Sequence, residues 1–284
     1  MWKLPALMFL AMSLIPAGDA AGKLMTQDHG LSPIFVAWSR FALGALLALP
    51  LIRPTTFRLL GDWRIWFRAL LLVGGITSVQ TALAHAPLAD VFAVFFIGPI
   101  FSFALSALLL REAVTWPRAA LMALGFVGVV LVVRPSLGGE GPLLSTGRSF
   151  ALLAGLFYGA FLTASRWLAT AARPADLLFT QLFFGAIALT PFGLAVLPEI
   201  TAPIAGLTFV SAAFSALGNF LLIYAYMRAN ASELAPYVYF QLASAVALGW
   251  VIFGDFPDAL TWAGLALIAT AGLASALLAS RKRA

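Results

Sequence analysis

The sequence predicts an all-α membrane protein of ten transmembrane helices, arranged as two inverted five-helix repeats. Three observations carry this. The 284 residues are 62% hydrophobic and only 10% charged, with a mean hydropathy of +1.00, whereas a soluble domain carries about a quarter charged residues. The apolar residues form continuous runs of ~20, not the alternating ten-residue segments of a β-barrel. The order of those runs also repeats once at a fixed offset, so that residue 4 falls on residue 147.

The ten runs lie at about 4–25, 33–52, 65–85, 91–110, 118–134, 149–169, 177–197, 204–227, 236–253 and 261–280. Short breakers separate them: Asp28-His29-Gly30, Arg53-Pro54, Trp116-Pro117, Arg134-Pro135, Arg173-Pro174, Pro198 and Pro257. The division is a first repeat over 1–135, a Gly- and Pro-rich linker over 136–148, and a second repeat over 149–284. The offset of 143 residues carries each of the first five runs onto one of the last five. It also carries Asp90 onto Glu233 and Glu112 onto Asp255. The first run resembles a secretory leader ending at Gly18-Asp19-Ala20. Its removal would leave nine spans and break the repeat, so the expectation is that it stays.

Orientation follows from charge. With the N-terminus in the cytoplasm, that side holds Lys3, Arg53, Arg58, Arg64, Arg68, Arg111, Arg118, Arg166, Arg173, Arg228, Arg281, Lys282 and Arg283. The other side holds Arg134 and Arg148, while Lys23 and Arg40 lie within spans. This is the positive-inside pattern of a bacterial-type inner membrane protein with both termini cytoplasmic. It also explains the net charge of +6 without nucleic acid. Five is odd, so the second half enters the membrane from the opposite side, and the halves become inverted around a shared site near the midplane.

The chain has no cysteine and two histidines. Disulfides, thiolate metal sites and cysteine catalysis are excluded, and no metal or cofactor is expected. No Gly-x-Ser-x-Gly elbow, His-Glu-x-x-His pair or aspartate dyad marks a membrane-embedded enzyme. No catalytic residue is assigned.

The stretch Ala107-Leu-Leu-Leu-Arg-Glu112-Ala-Val-Thr-Trp-Pro-Arg-Ala, followed by Gly125-Phe-Val-Gly128, resembles the close of an EamA-type domain, the five-helix unit of the drug/metabolite transporter superfamily. A second copy is similar at Phe253-Gly254-Asp255-Phe-Pro-Asp258 with Gly264 and Gly272. Two departures are Arg111 before Glu112 and Asp255 for a glutamate. The resemblance implies a secondary transporter, commonly an exporter of amino acids or related metabolites, and is nearest to the aromatic amino-acid exporter branch. The alternative within this architecture is a lipid flippase. The expected partners are a small-molecule substrate and membrane lipid, and the expected state is a monomer.

Pathway candidates come from polar groups at membrane depth, where an ionised or amide side chain is costly unless paired or wetted. Asp19 and Lys23 lie four apart on the first span, with Arg40 on the second at a similar depth. They form either a polar vestibule for a substrate carboxylate, ammonium or proton, or a pair that pins two helices. Asp19 is the one carboxylate placed for proton coupling. Gln80 and His85 on the third span, Asn219 and Tyr224 on the eighth, and Tyr239 and Gln241 on the ninth suggest neutral groups around a central cavity. Helix-to-helix hydrogen bonding is their alternative role. Trp38 and Tyr158 add aromatic walls suited to an apolar or aromatic substrate portion. Pro16, Gly98, Pro99 and Pro191 are candidate hinges or static kinks.

Overall fold

The computed structural model describes residues 3–85, 91, 94–112, 115–133, 146–254 and 258–281. Among them there is no β-strand. The helices are α1 (Lys3–Gln27), α2 (Pro33–Ala48), α3 (Trp63–His85), α4 (Ile97–Leu109), α5 (Trp116–Val133), α6 (Thr146–Trp167), α7 (Pro174–Ala195), α8 (Ala202–Tyr226), α9 (Ala231–Val238), α10 (Phe240–Phe253) and α11 (Ala259–Arg281). Two 3₁₀ stretches, Leu49–Leu51 and Pro54–Gly61, join α2 to α3. Asp90, Arg134, Pro135 and Asp255 lie outside the described residues, as does the linker up to residue 145; Thr146–Arg148 already belong to α6.

Seven segments are long and apolar enough to cross a membrane: Leu4–Gln27, Pro33–Leu51, Trp63–Ala82, Thr146–Trp167, Pro174–Ala195, Ala202–Tyr226 and Glu233–Phe253. Three shorter apolar helices, Ile97–Leu109, Trp116–Leu131 and Ala259–Ala274, fall on the other three expected spans. The chain is a multi-pass membrane protein. Its outer surface carries apolar side chains such as Leu108, Phe192 and Val251, which suit contact with lipid.

Several helices begin where the sequence permits only a beginning. Pro33 and Pro174 open α2 and α7, where a missing N–H leaves no bond unmade. Ser32 caps α2 by accepting the Ile34 N–H at 3.3 Å.

Two expected spans are interrupted. The run at 236–253 starts earlier, at Ala231, and breaks at Tyr239 into α9 and α10. Pro236 inside α9 removes a helical donor just before the break. The fourth span is interrupted at Phe96, where α4 begins. Phe96 and Tyr239 are 143 residues apart, and their rings pack with centroids 6.0 Å from each other. Both helices also end alike, with Arg111 (φ 52°) after α4 and Gly254 (φ 77°) after α10 in the left-handed region. Glycine is at home there, whereas an L side chain costs about 1–2 kcal/mol. Arg111→Gly should therefore stabilise the protein by about 0.5–1 kcal/mol once the larger unfolded-state entropy of glycine is counted. Equilibrium unfolding in detergent measures it.

The offset also survives at atomic contacts. A Cβ on Gly75 would meet Tyr158 N at 3.7 Å and Ala154 O at 3.8 Å, and a Cβ on Gly218 would meet Ile15 N at 3.1 Å and Ala11 O at 3.2 Å. Adding 143 to residues 75, 11 and 15 gives 218, 154 and 158. Thus α3 rests on α6 in the same register as α8 rests on α1. The major contacts between helices link the two halves: α1 with α8, α3 with α6, α2 with α7, and α5 with α11. The core lies between the repeats, so neither buries its apolar faces alone.

Candidate functional site

A cavity of about 60 Å³ opens between the halves, lined from the first by residues including Ile15, Asp19, Arg40, Ile76 and Phe95, and from the second by Tyr158, Ser215, Asn219 and Gln241. A water needs about 10–15 Å³, so the space has room for more than one. Three pairs of lining residues stand 143 apart: Ile15 with Tyr158, Leu72 with Ser215, and Ile76 with Asn219. These positions lie near the middles of α1, α3, α6 and α8, while Gln241 follows the break at Tyr239.

Asp19 and Arg40 dominate the lining electrostatics. Arg40 Nη1 donates to Asp19 Oδ1 at 2.7 Å, joining α2 to α1. The Arg40 side chain is 4% accessible and that of Asp19 is 30%. A Cβ on Gly18 would come within 2.9 Å of Arg40 Nη2, so the guanidinium needs the bare backbone at that turn. Lys23 does not share the pair; its ammonium sits 4.1 Å from the centre of the Phe253 ring. Asn219 Nδ2 donates to Ser215 O at 2.9 Å within α8. Phe95 and Tyr158 form an aromatic wall with ring centroids 5.3 Å apart.

Of the residues singled out in the sequence, Asp19, Arg40, Tyr158, Asn219 and Gln241 meet in this cavity. The other five lie outside its lining. Trp38 packs on Gly193 and donates from Nε1 to Thr190 Oγ1 at 3.1 Å, tying α2 to α7. Tyr224 lies under the Arg228 guanidinium, 3.3 Å from its ring centre, near the end of α8. Tyr239 is fully buried against Phe96 and Gly125. Gln80 is buried near Gly22, between α3 and α1. His85 is exposed, with Nδ1 2.8 Å from Thr81 O. Pro16 and Pro191 sit inside unbroken helices, whereas Gly98 and Pro99 follow the interruption at Phe96.

The sequence reading missed Ser215, a polar residue at membrane depth in the eighth span, and the clasp at the basic end of the bundle. There Arg166 donates from Nε to Glu112 Oε1 (3.1 Å), from Nη2 to Asn230 Oδ1 (2.7 Å) and from Nη1 to Tyr226 O (3.4 Å). The Ala231 N–H donates to the same Glu112 oxygen at 3.3 Å. Arg118 is ion-paired with Glu233. Arg68, counted among the cytoplasmic-side charges, is wholly buried between α3, α6 and α7. It donates to Ser165 Oγ (2.9 Å) and Leu177 O (3.3 Å) and rests on the Phe161 ring. At the surface of this end, Arg64 beside Asp62 holds that carboxyl below the ordinary carboxylate range.

A mid-bundle cavity lined from two repeats, with an ion-paired clasp at the basic end of the bundle, suits a carrier, and the comparisons with known proteins agree. The sequence profile of the EamA-like transporter family matches residues 4–134 and again 145–277. The chain belongs to this family. Members of the EamA-like family are transporters, and this chain is a secondary transporter, not an enzyme. A riboflavin transporter of Brucella anthropi is 26% identical over 279 residues, covering 94% of this chain and 95% of that one. An S-adenosylmethionine uptake transporter of Rickettsia conorii is 26% identical over 256 residues, with coverages of 89% and 85%. A pseudopaline exporter of Pseudomonas aeruginosa is 27% identical over 251 residues, with 84% of each chain covered. A crystal structure at 18% identity superposes with a TM-score of 0.81 over 99% of both chains, which shows the shared fold.

Proposed function

We propose that this EamA-like protein exports amino acids and related small amphipathic metabolites across a bacterial inner membrane by alternating access. The observation that carries the reading is the cavity itself. It sits mid-bundle and is lined by equivalent positions of both repeats, and in this reading the Arg166–Glu112 clasp is what closes its basic end. In this reading the chain crosses ten times, with α9 and α10 forming one broken span. The five-span repeats are inverted, and both termini are cytoplasmic. The basic end is then the cytoplasmic end. In this reading the form seen here faces outward, which the accessibility of Asp19, the most accessible polar group of the lining, supports. The paired interruptions at Phe96 and Tyr239 serve as hinges.

The substrate range follows from the lining. One anion and one cation balance, and the rest of the wall is apolar, aromatic or neutral and polar. Phosphates and nucleotide sugars call for several convergent cations, which this lining lacks. Among the relatives are a riboflavin transporter, an S-adenosylmethionine uptake transporter and a pseudopaline exporter, so uptake and export both occur on this scaffold. Export here rests on the family resemblance. The test is counterflow in proteoliposomes preloaded in turn with each member of a panel of amino acids and other small amphipathic metabolites. Accumulation of at least one labelled solute above protein-free vesicles is expected, with none for a nucleotide sugar. No accumulation of any solute contradicts the reading.

A further inference from the structure

We propose that the Asp19–Arg40 pair is the receptor for a zwitterionic amino-acid headgroup: the substrate carboxylate docks on the free edge of the Arg40 guanidinium and its ammonium on the free oxygen of Asp19. The proposal rests on the carrier reading above and names the substrate chemistry of the same cavity.

The pair is made end-on through one hydrogen bond, Nη1 to Oδ1. Arg40 Nε and Nη2 are buried and have no acceptor. Buried donors are rarely left unmade, because each forfeits its hydration without return. These two N–H groups lie on the same edge of the planar guanidinium, the fork that grips a carboxylate with two parallel hydrogen bonds. Asp19 Oδ2 accepts no hydrogen bond among the described residues, and its side chain is the accessible member of the pair. Arg40 therefore keeps two donors without acceptors, closed in beside the Gly18 turn until a carboxylate reaches them, and Asp19 an oxygen without a donor, joined by the bond that spaces them.

Charge balance narrows the ligand. Asp19 and Arg40 are the charged residues of the lining and sum to zero. A ligand with one carboxylate and one ammonium keeps the sum at zero while satisfying both groups. A simple carboxylate or a simple amine would bring an uncompensated charge into a low-dielectric site. The present space matches a headgroup of a few heavy atoms. Two further lining atoms without partners, Tyr158 OH and Gln241 Oε1, stand beside the Phe95–Tyr158 wall. An aromatic substrate side chain finds its surface there.

Three ligands that differ in one group each test this on the unaltered protein: L-phenylalanine, phenethylamine, which lacks the carboxylate, and 3-phenylpropionate, which lacks the ammonium. Calorimetric binding to the full chain in nanodiscs, and inhibition of labelled L-phenylalanine counterflow, should both rank L-phenylalanine at least tenfold above the other two. Arg40→Lys, which keeps the charge but not the fork, should weaken L-phenylalanine tenfold or more and leave phenethylamine unchanged. Asp19→Asn should weaken L-phenylalanine and phenethylamine but not 3-phenylpropionate. Equal binding of all three ligands by the unaltered protein overturns the proposal without any variant. Exchange of other solutes but of none of the twenty common amino acids also overturns it and leaves the carrier reading standing. No exchange of any solute removes both.

Discussion

Arg166→Ala opens the cavity to the basic end. The Arg166 guanidinium joins the end of α6 to Glu112 after α4, to the last turn of α8 and to the α8–α9 corner. The Glu112 carboxylate is 8% accessible. Removing one partner of such a buried pair costs about 3–5 kcal/mol when the rest of the site stays closed. Opening relieves that penalty by hydrating Glu112, so the equilibrium should move by about 3 kcal/mol, more than a hundredfold. The chain has no cysteine, so a single cysteine at Ile76, in the lining, reports access cleanly. With Arg166 present, a membrane-impermeant thiol reagent should react faster from the Asp19 side. With alanine there, the rate from the basic side should rise at least tenfold, and net transport should fall because one closed state is lost. An unchanged rate from the basic side would show that the clasp is not the barrier.

Gly159→Val disrupts the fold far more than its size suggests. Gly159 lies where α6 crosses α4. A Cβ there would collide with the Gly98 carbonyl oxygen, and one on Gly98 would come within 2.7 Å of Gly155 O. The obstacle is backbone, which cannot turn aside as a side-chain end can. A loss of at least about 3 kcal/mol is expected, the upper end for overpacking. Gly206→Ala supplies the contrast. It lies on α8 with nothing within 4 Å of a new Cβ, so it should leave stability within about 1 kcal/mol, on the stabilising side. Thermal unfolding of both variants in the same detergent separates crowding from helix propensity.

Much of this architecture was legible in one dimension because lipid imposes a simple rule: a span must be long, apolar and helical. Runs such as 33–52 and 177–197 therefore found their helices within a few residues. The interruptions at Phe96 and Tyr239 were not legible, since a one-residue break leaves hydropathy untouched. The local cues, Pro236 at the edge of the expected run and Gly98-Pro99 just past Phe96, mark a kink without saying where the helix breaks.

Half of the site candidates converged on the cavity, for a similar reason. Sequence gives depth in the membrane but not rotation about a helix axis. Asp19, Arg40, Tyr158, Asn219 and Gln241 face inward, whereas Trp38 and Gln80, at comparable depth, face neighbouring helices. The 143-residue offset would have supplied part of the missing rotation. Once Tyr158 and Asn219 are placed, their counterparts Ile15 and Ile76 follow. Arg68 misled for the opposite reason: a charge near a span end reads as a loop residue until the helices around it are known to enclose it.

Side-specific labelling decides the central claim, that two copies of one five-span unit face opposite ways around the cavity. Single cysteines are placed at Gly139, in the connection between the repeats, and at Ala284, and are treated in intact cells with a membrane-impermeant thiol reagent. The account predicts that the cysteine at 139 reacts from outside and that the one at 284 reacts only after lysis. Reaction of both from the same face would contradict the inverted arrangement, and alternating access around this cavity would fall with it.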